Sequence, residues 1–271
     1  MSQQNSNIVI LLTATITPNG MLNTALQDSA IREKQYIDAI EYYLNETDLR
    51  IVFCENTKKN IFYKINSEQK TARLEYITFD GNNYDRNLGK GYGESQIIKK
   101  AISCSDFLKK AQWVIKITGR VKILNIKDII FDIYRIENAN DNILGAELYC
   151  RDWVYSVCFY SDKNWLFKTI CYYESQIREY DFYFERMLYQ GVLSARNIEV
   201  RSIFPIIEGI SGTFNSKYKN DSLYQRKVDH YNTLSILSKE NDEPIYKLIR
   251  NRFLWYYNRL MLKIESQRYL A

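Results

Sequence analysis

The first half of the chain alternates short apolar runs with longer stretches of helical periodicity. Residues 7–13 form a continuous apolar run, which is typical of a strand buried on both faces. Residues 23–44 carry apolar side chains at helical spacing. Further apolar runs at residues 50–54, 72–79 and 113–117 predict three more strands. Strands and helices that alternate in this order indicate a mostly parallel sheet with helices on both faces.

The second half is less regular. Short β-like runs occupy residues 129–134, 145–149 and 153–159. Residues 163–192 carry large apolar side chains near helical spacing, and a long helix is predicted from Pro244 to Leu270. The sequence contains no internal repeat and no low-complexity segment. An α/β fold with a helical C-terminal extension is therefore predicted.

The length and net charge of the chain limit the number of domains and the kinds of partner that it can have. With 271 residues, the chain is long enough for one large domain or two small ones. A main domain over residues 1–220 and a helical C-terminal extension over residues 221–271 are the expectation. The net charge of +5 fits an anionic substrate or an anionic membrane surface, and a dedicated nucleic-acid binder would concentrate more charge. The 23 tyrosines follow from codon usage in an AT-rich genome or from contacts with sugars and membrane surfaces.

The histidine and cysteine content excludes several kinds of active site. His230 is the single histidine and lies in a polar segment, which predicts a surface position. Zinc sites built on histidine clusters, Ser-His-Asp triads and Cys-His pairs all need a correctly placed imidazole. Acid–base chemistry is therefore expected from Asp or Glu. The five widely spaced cysteines include no C-x-x-C pair, which indicates reduced thiols in a cytosolic protein.

No targeting or membrane-spanning segment is predicted. The first seven residues carry no positive side chain, unlike a secretory signal. No run of 18 apolar residues occurs, so no transmembrane helix is expected. A cytoplasmic location is the expectation from these two features.

Polar groups follow three of the predicted strands where each strand ends. They are Thr13 after the first strand, Glu55 after the second, and Thr118–Arg120 after the fourth. In parallel sheets, ligands bind beyond the carboxyl ends of the strands. The sequence therefore predicts one ligand-binding edge to which three strands deliver polar side chains.

The segment Gly89–Glu94 precedes apolar positions at helical spacing. Glycines let the backbone approach a phosphate closely, the amides of a helix start point at an anion, and Lys90 adds positive charge. The segment is neither a Walker A loop nor a G-x-G-x-x-G fingerprint. A phosphate cradle at Lys90 and Gly91 is one interpretation, and a plain loop with a helix cap is the other.

Three basic residues alternate with apolar ones around the end of the fourth strand, namely Lys116, Arg120 and Lys122. Charge on a buried strand is costly unless it is paired or used. The planar fork of an arginine suits a diphosphate. The alternative is that Arg120 pairs with a structural carboxylate.

Three further residues could carry polar chemistry. Glu55 and Asn56 could bind the base or ribose of a nucleotide, or could simply form a turn. Glu185 lies in a strongly apolar, aromatic segment, where burial would raise its pKa and suit it to act as a general base. The alternatives for Glu185 are a helix surface position or an ion pair with Arg186 or Arg178.

A family resemblance rests on the order and spacing of the segments Leu12–Ile16, Phe53–Asn56, Gly89–Glu94 and Lys116–Arg120. Together these segments resemble bacterial glycosyltransferases of surface-polysaccharide gene clusters (capsule or O-antigen type) with a GT-A-type fold. The later segments Phe184–Leu188 and Glu208–Gly212 are consistent with that family. The resemblance covers about residues 7–220. It implies a GT-A-like, mostly parallel, Rossmann-like sheet flanked by helices.

The resemblance also implies roles for individual residues. A nucleotide-sugar donor, UDP-linked in preference to GDP-linked, would lie at the predicted edge of the sheet. Glu185 resembles the acidic residue that serves as general base in inverting members, and Arg120 would stabilise the departing diphosphate with the help of Lys90. The implied donor-binding residues are Thr13, Ala14, Glu55, Asn56, Lys90, Gly91, Thr118 and Gly119.

The chain departs from the commonest pattern of that family in one respect. Most members bind a divalent metal through an Asp-x-Asp motif at the end of the fourth strand. This chain has Thr118–Arg120 at that position, and no Asp-x-Asp occurs anywhere in its sequence. No metal ligand is therefore assigned, and dependence on Mn²⁺ or Mg²⁺ is left open. The hypothesis is that basic groups replace the cation in stabilising the leaving diphosphate.

The predicted C-terminal helix is amphipathic and basic. Six Lys or Arg follow Pro244 against a single Glu. Basic amphipathic helices often lie on anionic membranes, although packing against its own domain or in a dimer explains the pattern equally well. The apolar stripe comprises Ile249, Phe253, Tyr256, Leu260 and Ile264, and the basic stripe Arg252, Arg259 and Lys263.

These observations predict a glycosyltransferase of the hexosyltransferase type. It would move a sugar with inversion to a hydroxyl of a lipid-linked glycan in surface-polysaccharide synthesis. It would lie in the cytoplasm or on the inner face of the plasma membrane, held there by residues 244–271, with no nucleic acid as partner. The alternatives are a sugar-nucleotide-modifying enzyme or nucleotidyltransferase, and a non-catalytic nucleotide- or carbohydrate-binding module in which Glu185 is dispensable.

Overall fold

The computed structural model describes residues 7–136, 142–195, 197–218, 222–241 and 244–268. The strands are β1 (Ile8–Ala14), β2 (Arg50–Glu55), β3 (Leu74–Thr78), β4 (Trp113–Thr118), β5 (Lys122–Ile123), β6 (Asn142–Ala146), β7 (Leu148–Tyr149), β8 (Trp153–Val154), β9 (Cys158–Asp162), β10 (Ile198–Ser202) and β11 (Ile207–Glu208). The helices are α1 (Ser29–Glu46), α2 (Lys70–Arg73), α3 (Gly89–Cys104), α4 (Asp106–Lys110), α5 (Ile126–Tyr134), α6 (Lys163–Tyr173), α7 (Phe184–Ser194), α8 (Leu223–Glu240) and α9 (Ile245–Arg268).

Seven strands form one central sheet in the order β10-β6-β9-β4-β1-β2-β3. The strands β3, β2, β1 and β4 are parallel neighbours, which is the strand order of a Rossmann-like sheet. Strand β9 runs antiparallel between β4 and β6, and β10 is parallel to β6. The predicted fold class is confirmed, since the sheet is mostly parallel, helices flank it, and helices form the C-terminal part.

The apolar run of β1 divides its side chains between two cores. Ile8, Ile10 and Leu12 pack with α1 and α5 on one face of the sheet, and Val9 and Leu11 pack with α3, α6 and α7 on the other. Every residue of β1 is buried. A continuous apolar run, without alternation, is therefore the pattern that a central parallel strand requires.

Helix α1 begins later than its periodicity suggests. The predicted helix spans residues 23–44, whereas α1 begins at Ser29. The side chain of Asp28 accepts hydrogen bonds from the backbone N–H groups of Ala30 and Ile31 and so caps the helix start. The residues before Asp28 are free to form the loop that follows β1.

Two predictions in the second half are wrong. Residues 129–134 belong to helix α5 and not to a strand, because Ile126, Ile129, Ile130 and Ile133 are buried at helical spacing. A short run rich in isoleucine does not distinguish a strand from a buried helix segment. The single helix predicted over residues 163–192 is two helices, α6 and α7, separated by a 3₁₀ turn and a loop.

The two C-terminal helices pack on each other and on the sheet. Asn251 of α9 is buried and donates a hydrogen bond to Ser238 of α8 at 3.0 Å. Arg226 of α8 forms an ion pair with Glu147, with the nitrogen Nε 3.0 Å from one carboxylate oxygen. The division of the chain into residues 1–220 and 221–271 stays a prediction. In the described segments, no helix has both the length and the hydropathy required to cross a bilayer.

His230 lies in the interior and not at the surface, so that prediction is wrong. Its ring is fully buried, accepts the backbone N–H of Leu148 at Nδ1 (2.9 Å), and places Nε2 2.7 Å from Ser202 Oγ. Because Nδ1 accepts, the proton lies on Nε2, which donates to the serine. The neutral imidazole thus joins α8 to two strand segments.

Burial lowers the pKa of His230 to about 3 from an ordinary value near 6.5. Below pH 6.5, His230 therefore binds a proton in the unfolded state but not in the folded state. Because the unfolded state binds more protons, the free energy of unfolding should fall as the pH drops below about 6.5, by up to about 1.4 kcal/mol per pH unit. Urea unfolding at pH 7.5 and 5 should show a larger loss of stability in wild type than in His230→Gln. Equal losses in the two proteins would contradict this assignment.

Candidate active site

A cavity of about 710 Å³ opens at the carboxyl ends of β1 and β4. Strand pairing sets Thr13 beside Thr118 at this edge. The backbone N–H of Gly119 donates to the carbonyl oxygen of Thr13 at 2.9 Å, and a Cβ at Gly119 would lie 2.8 Å from that oxygen. Glycine is therefore needed where the two strand ends approach each other.

The structure brings most of the predicted site residues to this cavity. Those that line it are Thr13, Ala14, Lys90, Gly91, Thr118, Arg120 and Glu185. Gly119 supports the edge from within the backbone, as described above, and does not itself line the cavity. Glu55 and Asn56 do not line it either.

Glu55 is fully buried and serves as an anchor for the loop after β2. Its carboxylate accepts hydrogen bonds from the backbone N–H groups of Ile16 (3.2 Å), Thr57 (2.8 Å) and Lys59 (3.0 Å) and from the hydroxyl of Thr78 (3.0 Å). This set of donors occupies its acceptor capacity. The geometry thus gives Glu55 a positioning role in the loop and does not support the predicted direct contact with a donor.

Asn56 is buried beside Glu55, and neither atom of its side-chain amide has a hydrogen-bond partner within the described ranges. Its backbone N–H donates to the carbonyl of Ala14 at 3.2 Å, and its own carbonyl accepts from Gly81 at 3.0 Å. The backbone of Asn56 therefore ties the ends of β1 and β2 to the segment after β3. Its predicted part in donor binding stays a prediction.

The alternating basic residues around β4 have different partners. The ammonium of the fully buried Lys116 contacts the carboxylate of Glu94, and Lys122 forms an ion pair with Glu208 at 3.1 Å. Arg120 is buried as well, yet over the residues that the structure describes it has no carboxylate partner. The two lysines thus form ion pairs, whereas the structural ion pair considered as the alternative for Arg120 is not found among the described residues.

Arg120 lies against neutral acceptors only. Its Nη1 donates to the backbone carbonyl of Ile210 at 2.9 Å and to Gln35 Oε1 at 3.2 Å. Its Nε is buried and has no acceptor in the described part of the chain. A buried guanidinium with an unused donor is costly in a folded protein. The arrangement favours an anion as the missing partner.

A second buried arginine, Arg32 of α1, faces the same space. It donates to the carbonyls of Thr15 (2.8 Å) and Leu26 (3.2 Å) and to the hydroxyl of Tyr36 (3.3 Å). Burial lowers the pKa of Arg32, and the positive charge of Arg120 lowers it further against the raising effect of Tyr36. Like Arg120, it has no ion pair with any described carboxylate.

Gly212 marks the point where the two guanidinium groups converge. A Cβ on this glycine would lie 2.5 Å from Arg120 Nη2 and 3.6 Å from Arg32 Nη1. Two cations held this close in a buried wall repel each other unless an anion lies between them. The sequence contained a signal for Arg32, because it lies one helical turn before Tyr36 on the buried face of α1, but the periodicity alone did not separate it from a surface arginine.

A polar network runs along the cavity from the end of β1 to Glu185. Thr13 Oγ1 donates to Glu94 Oε1 at 2.9 Å, and the Lys116 ammonium that contacts Glu94 also donates to the carbonyl of Ser156 at 2.6 Å. The hydroxyl of Ser156 donates to Glu185 Oε1, also at 2.6 Å. The network therefore links the end of β1 to the first turn of α7 through α3, β4 and the segment between β8 and β9.

Glu185 faces the cavity from the second position of α7. Burial raises the pKa of its carboxyl, the hydrogen bond from Ser156 lowers it, and the nearby charge of Glu94 raises it. The two arginines that could have neutralised it are engaged elsewhere, Arg186 with Asp152 at 2.7 Å and Arg178 with backbone carbonyls. Glu185 is thus a carboxylate of raised basicity that faces open space.

The glycine-rich segment does not form a loop ahead of a helix. Helix α3 begins at Gly89 itself, so the segment is its first turn. The backbone N–H of Lys90 donates to the carboxylate of Glu179 at 3.0 Å, which occupies the position predicted for a phosphate. A Cβ on Gly91 would lie 3.0 Å from the backbone nitrogen of Phe184, so this glycine permits the close contact between α3 and α7.

Aromatic rings form one side of the cavity beside Glu185. Trp153 makes edge-to-face contacts with Tyr183 and Tyr149, with ring centroids 4.7 and 5.0 Å apart, and Tyr149 contacts Tyr155 at 5.6 Å. We call these four residues the aromatic wall. The guanidinium of Arg186 lies 5.8 Å from the ring centre of Tyr183 and fixes its position further.

The donor set of the cavity does not fit a divalent metal at the end of β4. Arg120 lines the cavity just after β4, and its guanidinium, being a cation, cannot ligate a metal ion. The carboxylate of Glu94 is bonded to Lys116 and Thr13. No group of three or more His, Cys, Asp or Glu side chains suited to a metal ion occurs among the described residues.

The sequence matches no protein family profile and no curated protein. Among solved structures, it is similar to a glycosyltransferase involved in glycosylation of the major capsid of PBCV-1, with 13% identity over 72% of this chain and 81% of that chain and a TM-score of 0.43. It is also similar to the galactosyltransferase LgtC in complex with donor and acceptor sugar analogues, with 11% identity over 71% and 72% of the two chains and a TM-score of 0.44.

A third similar structure belongs to a different enzyme class. This is 4-diphosphocytidyl-2C-methyl-D-erythritol synthase from Anaerococcus prevotii, with 12% identity over 84% of this chain and 98% of that chain and a TM-score of 0.42. Similarities with TM-scores below 0.5 do not establish a shared activity.

Proposed function

We propose that this protein is a glycosyltransferase of the GT-A-like type that uses a nucleoside diphosphate sugar, UDP-linked in preference to GDP-linked, as donor. One observation carries the proposal: two buried guanidinium groups that have no carboxylate partner among the described residues share a cavity with a carboxylate of raised pKa. The pair matches a diphosphate in charge, and the carboxylate matches the base that a sugar acceptor requires.

The donor binds with its diphosphate at Arg32 and Arg120 and with its nucleoside along Thr13, Ala14 and Thr118. As the bond between the anomeric carbon and the diphosphate oxygen breaks, the electron pair and the negative charge move to the diphosphate. Guanidinium groups that are already in place stabilise this charge without reorganisation. They replace the divalent cation, and Lys90 adds a third positive charge at the mouth of the cavity.

The acceptor hydroxyl attacks the anomeric carbon from the face opposite the departing diphosphate, which inverts the configuration. Glu185 takes the proton of that hydroxyl. The aromatic wall of Tyr149, Trp153, Tyr155 and Tyr183 offers flat apolar faces with polar edges beside Glu185, a surface suited to a sugar ring. We infer that the acceptor is a glycan, lipid-linked and destined for surface polysaccharide, and that the reaction takes place in the cytoplasm.

A ligand screen tests the donor class. Thermal unfolding is measured in excess EDTA with UDP-, GDP-, CMP- and dTDP-sugars and with the matching diphosphates. A nucleoside diphosphate sugar should raise the melting temperature by about 5 °C at roughly 100 times its dissociation constant. Stabilisation by CMP-sugar alone, or by none of the ligands, would contradict the assignment of the two arginines to a diphosphate.

Turnover of the stabilising ligand separates the proposal from its alternatives. The enzyme should release the nucleoside diphosphate from the sugar nucleotide in EDTA, slowly to water and faster to a glycan acceptor. Release of pyrophosphate from a nucleoside triphosphate and a sugar phosphate would indicate a nucleotidyltransferase. Binding without turnover would indicate a non-catalytic module, and turnover that is lost in EDTA and restored by Mn²⁺ would overturn the metal-free mechanism.

A further inference from the structure

Helix α9 exposes an unusually apolar face. Large apolar side chains are exposed to solvent over most of the length of the helix. The exposed fraction is 66% for Phe253 and 58% for Leu260. A soluble protein normally turns such a stripe towards its core. The exposed residues are Ile245, Tyr246, Ile249, Phe253, Tyr256, Tyr257, Leu260 and Ile264, and we call them the outer face of α9.

The opposite side of α9 is the one that packs on the protein. Asn251 and Asn258 are buried there, and Glu265 contacts the hydroxyl of Ser222 at the start of α8. At 100° per residue, these three positions lie on the side of the helix away from Phe253 and Leu260. The helix is therefore mounted through a seam in which these polar residues lie between half-buried apolar ones such as Leu254 and Leu262, and its more exposed apolar side is presented outwards.

Among the residues of α9, basic side chains border the outer face and no acidic side chain does. Arg252 and Arg259 lie along one border, and the exposed Arg250 lies along the other. Between Ile245 and Arg268 the sequence holds one acidic residue, Glu265, and that residue lies on the inner seam. The exposed side of the helix is thus apolar along its middle and positive along both borders.

We propose that the outer face of α9 binds the surface of an anionic lipid bilayer. The helix lies in the plane of the interface, with its apolar side chains among the upper acyl chains and its arginines at the lipid phosphates. Tyr246, Tyr256 and Tyr257 provide the rings that favour this depth. The inference goes beyond the proposed sugar transfer and does not depend on it.

A second copy of the chain is the competing occupant, and charge argues against it. A two-fold contact would bring the outer face against itself. The arginines on its borders would then face each other with no carboxylate between them, and like charges in a closed interface are costly. An anionic bilayer provides an acyl-chain region for the apolar side chains and negatively charged headgroups for the arginines.

Vesicle sedimentation of the full-length protein tests this proposal. The protein should sediment with vesicles of phosphatidylcholine mixed with phosphatidylglycerol and remain in solution with phosphatidylcholine alone, and high salt should weaken the binding. The variant Arg252→Glu/Arg259→Glu should bind at least about 30-fold more weakly, since each basic residue near such a surface contributes on the order of 1 kcal/mol. The variant Phe253→Ser/Leu260→Ser should also lose binding.

The matched control is Lys34→Glu/Lys58→Glu, which makes the same change in net charge at two exposed lysines outside α9. It should bind the mixed vesicles like wild type. No sedimentation of wild type, or equal weakening by the control, would overturn the proposal. A dimer in analytical ultracentrifugation that Phe253→Ser/Leu260→Ser dissociates would overturn it as well. Donor binding is measured separately, so a failure here leaves the proposed transferase activity standing.

Discussion

Glu185→Gln should lower the rate of sugar transfer by about 10²- to 10⁴-fold, the usual contribution of a positioned general base. The amide keeps the size of the side chain and can still accept the hydrogen bond from Ser156. It cannot take a proton from the acceptor hydroxyl. Transfer is measured with the sugar nucleotide that stabilises the protein. Nucleotide affinity should be unchanged because the proposed mechanism has Glu185 act on the acceptor and not bind the donor.

The pH profile gives the same residue a second test. A general base works in its deprotonated form, and burial raises the pKa of Glu185 above that of a free glutamate. The rate in wild type should therefore rise with pH over a range higher than the ordinary titration range of a carboxyl group. This rise should be absent from the residual activity of Glu185→Gln.

Glu179→Gln is the matched control, since Glu179 is another carboxylate of the cavity wall and binds the start of α3. It should retain most of the transfer activity. A Glu185→Gln variant as active as this control would remove the base from the mechanism. Loss of nucleotide binding in Glu185→Gln would instead place that residue in the donor site.

Arg120→Met should weaken nucleoside diphosphate binding by roughly 10- to 150-fold, because a hydrogen bond to a charged group is worth about 1.5–3 kcal/mol. Methionine keeps much of the apolar part of the arginine side chain and removes the guanidinium group. Transfer should fall further than binding, since the charge on the diphosphate grows as the sugar departs. Isothermal titration with the diphosphate and single-turnover transfer measure the two effects.

Arg73→Met provides the control for this substitution. Arg73 also lies against backbone carbonyls, those of Thr47 and Leu49 among them, but it is outside the cavity. It should lose stability without losing affinity for the nucleotide. Arg32→Met should resemble Arg120→Met, and unchanged affinity in both cavity variants would show that the arginine pair does not bind the donor.

The sequence was sufficient to predict the four parallel strands β1, β2, β3 and β4, because buried parallel strands leave continuous apolar runs. Residues 7–13 and 113–117 correspond to β1 and β4, and their polar ends meet as expected. Helix α5 was missed for a physical reason. Its short isoleucine-rich run satisfies the pattern of a buried strand and that of a buried helix face, and only the tertiary packing decides between them.

The sequence predicts a site residue correctly when that residue lies at the end of a strand. It does not do so when the role of the residue depends on a partner from elsewhere in the chain. Thr13, Thr118 and Arg120 line the cavity, whereas Glu55 turns inward because the donors of its own loop satisfy it. The sequence does not predict Arg32 as a site residue, because its place in the site depends on its proximity to Arg120, which only the structure shows. His230 was assigned to the surface because its sequence neighbours are polar, but α8 places it against Leu148 and Ser202.

The convergence of Arg32 and Arg120 at Gly212 also has a bearing on the end of the catalytic cycle. A divalent ion can leave together with the nucleotide, whereas an arginine on α1 and another after β4 remain in the wall. The spent nucleoside diphosphate carries more negative charge than the sugar nucleotide that enters. For a transferase built in this way, fixed cations retain product more firmly than substrate, so that product inhibition and slow nucleotide release govern turnover.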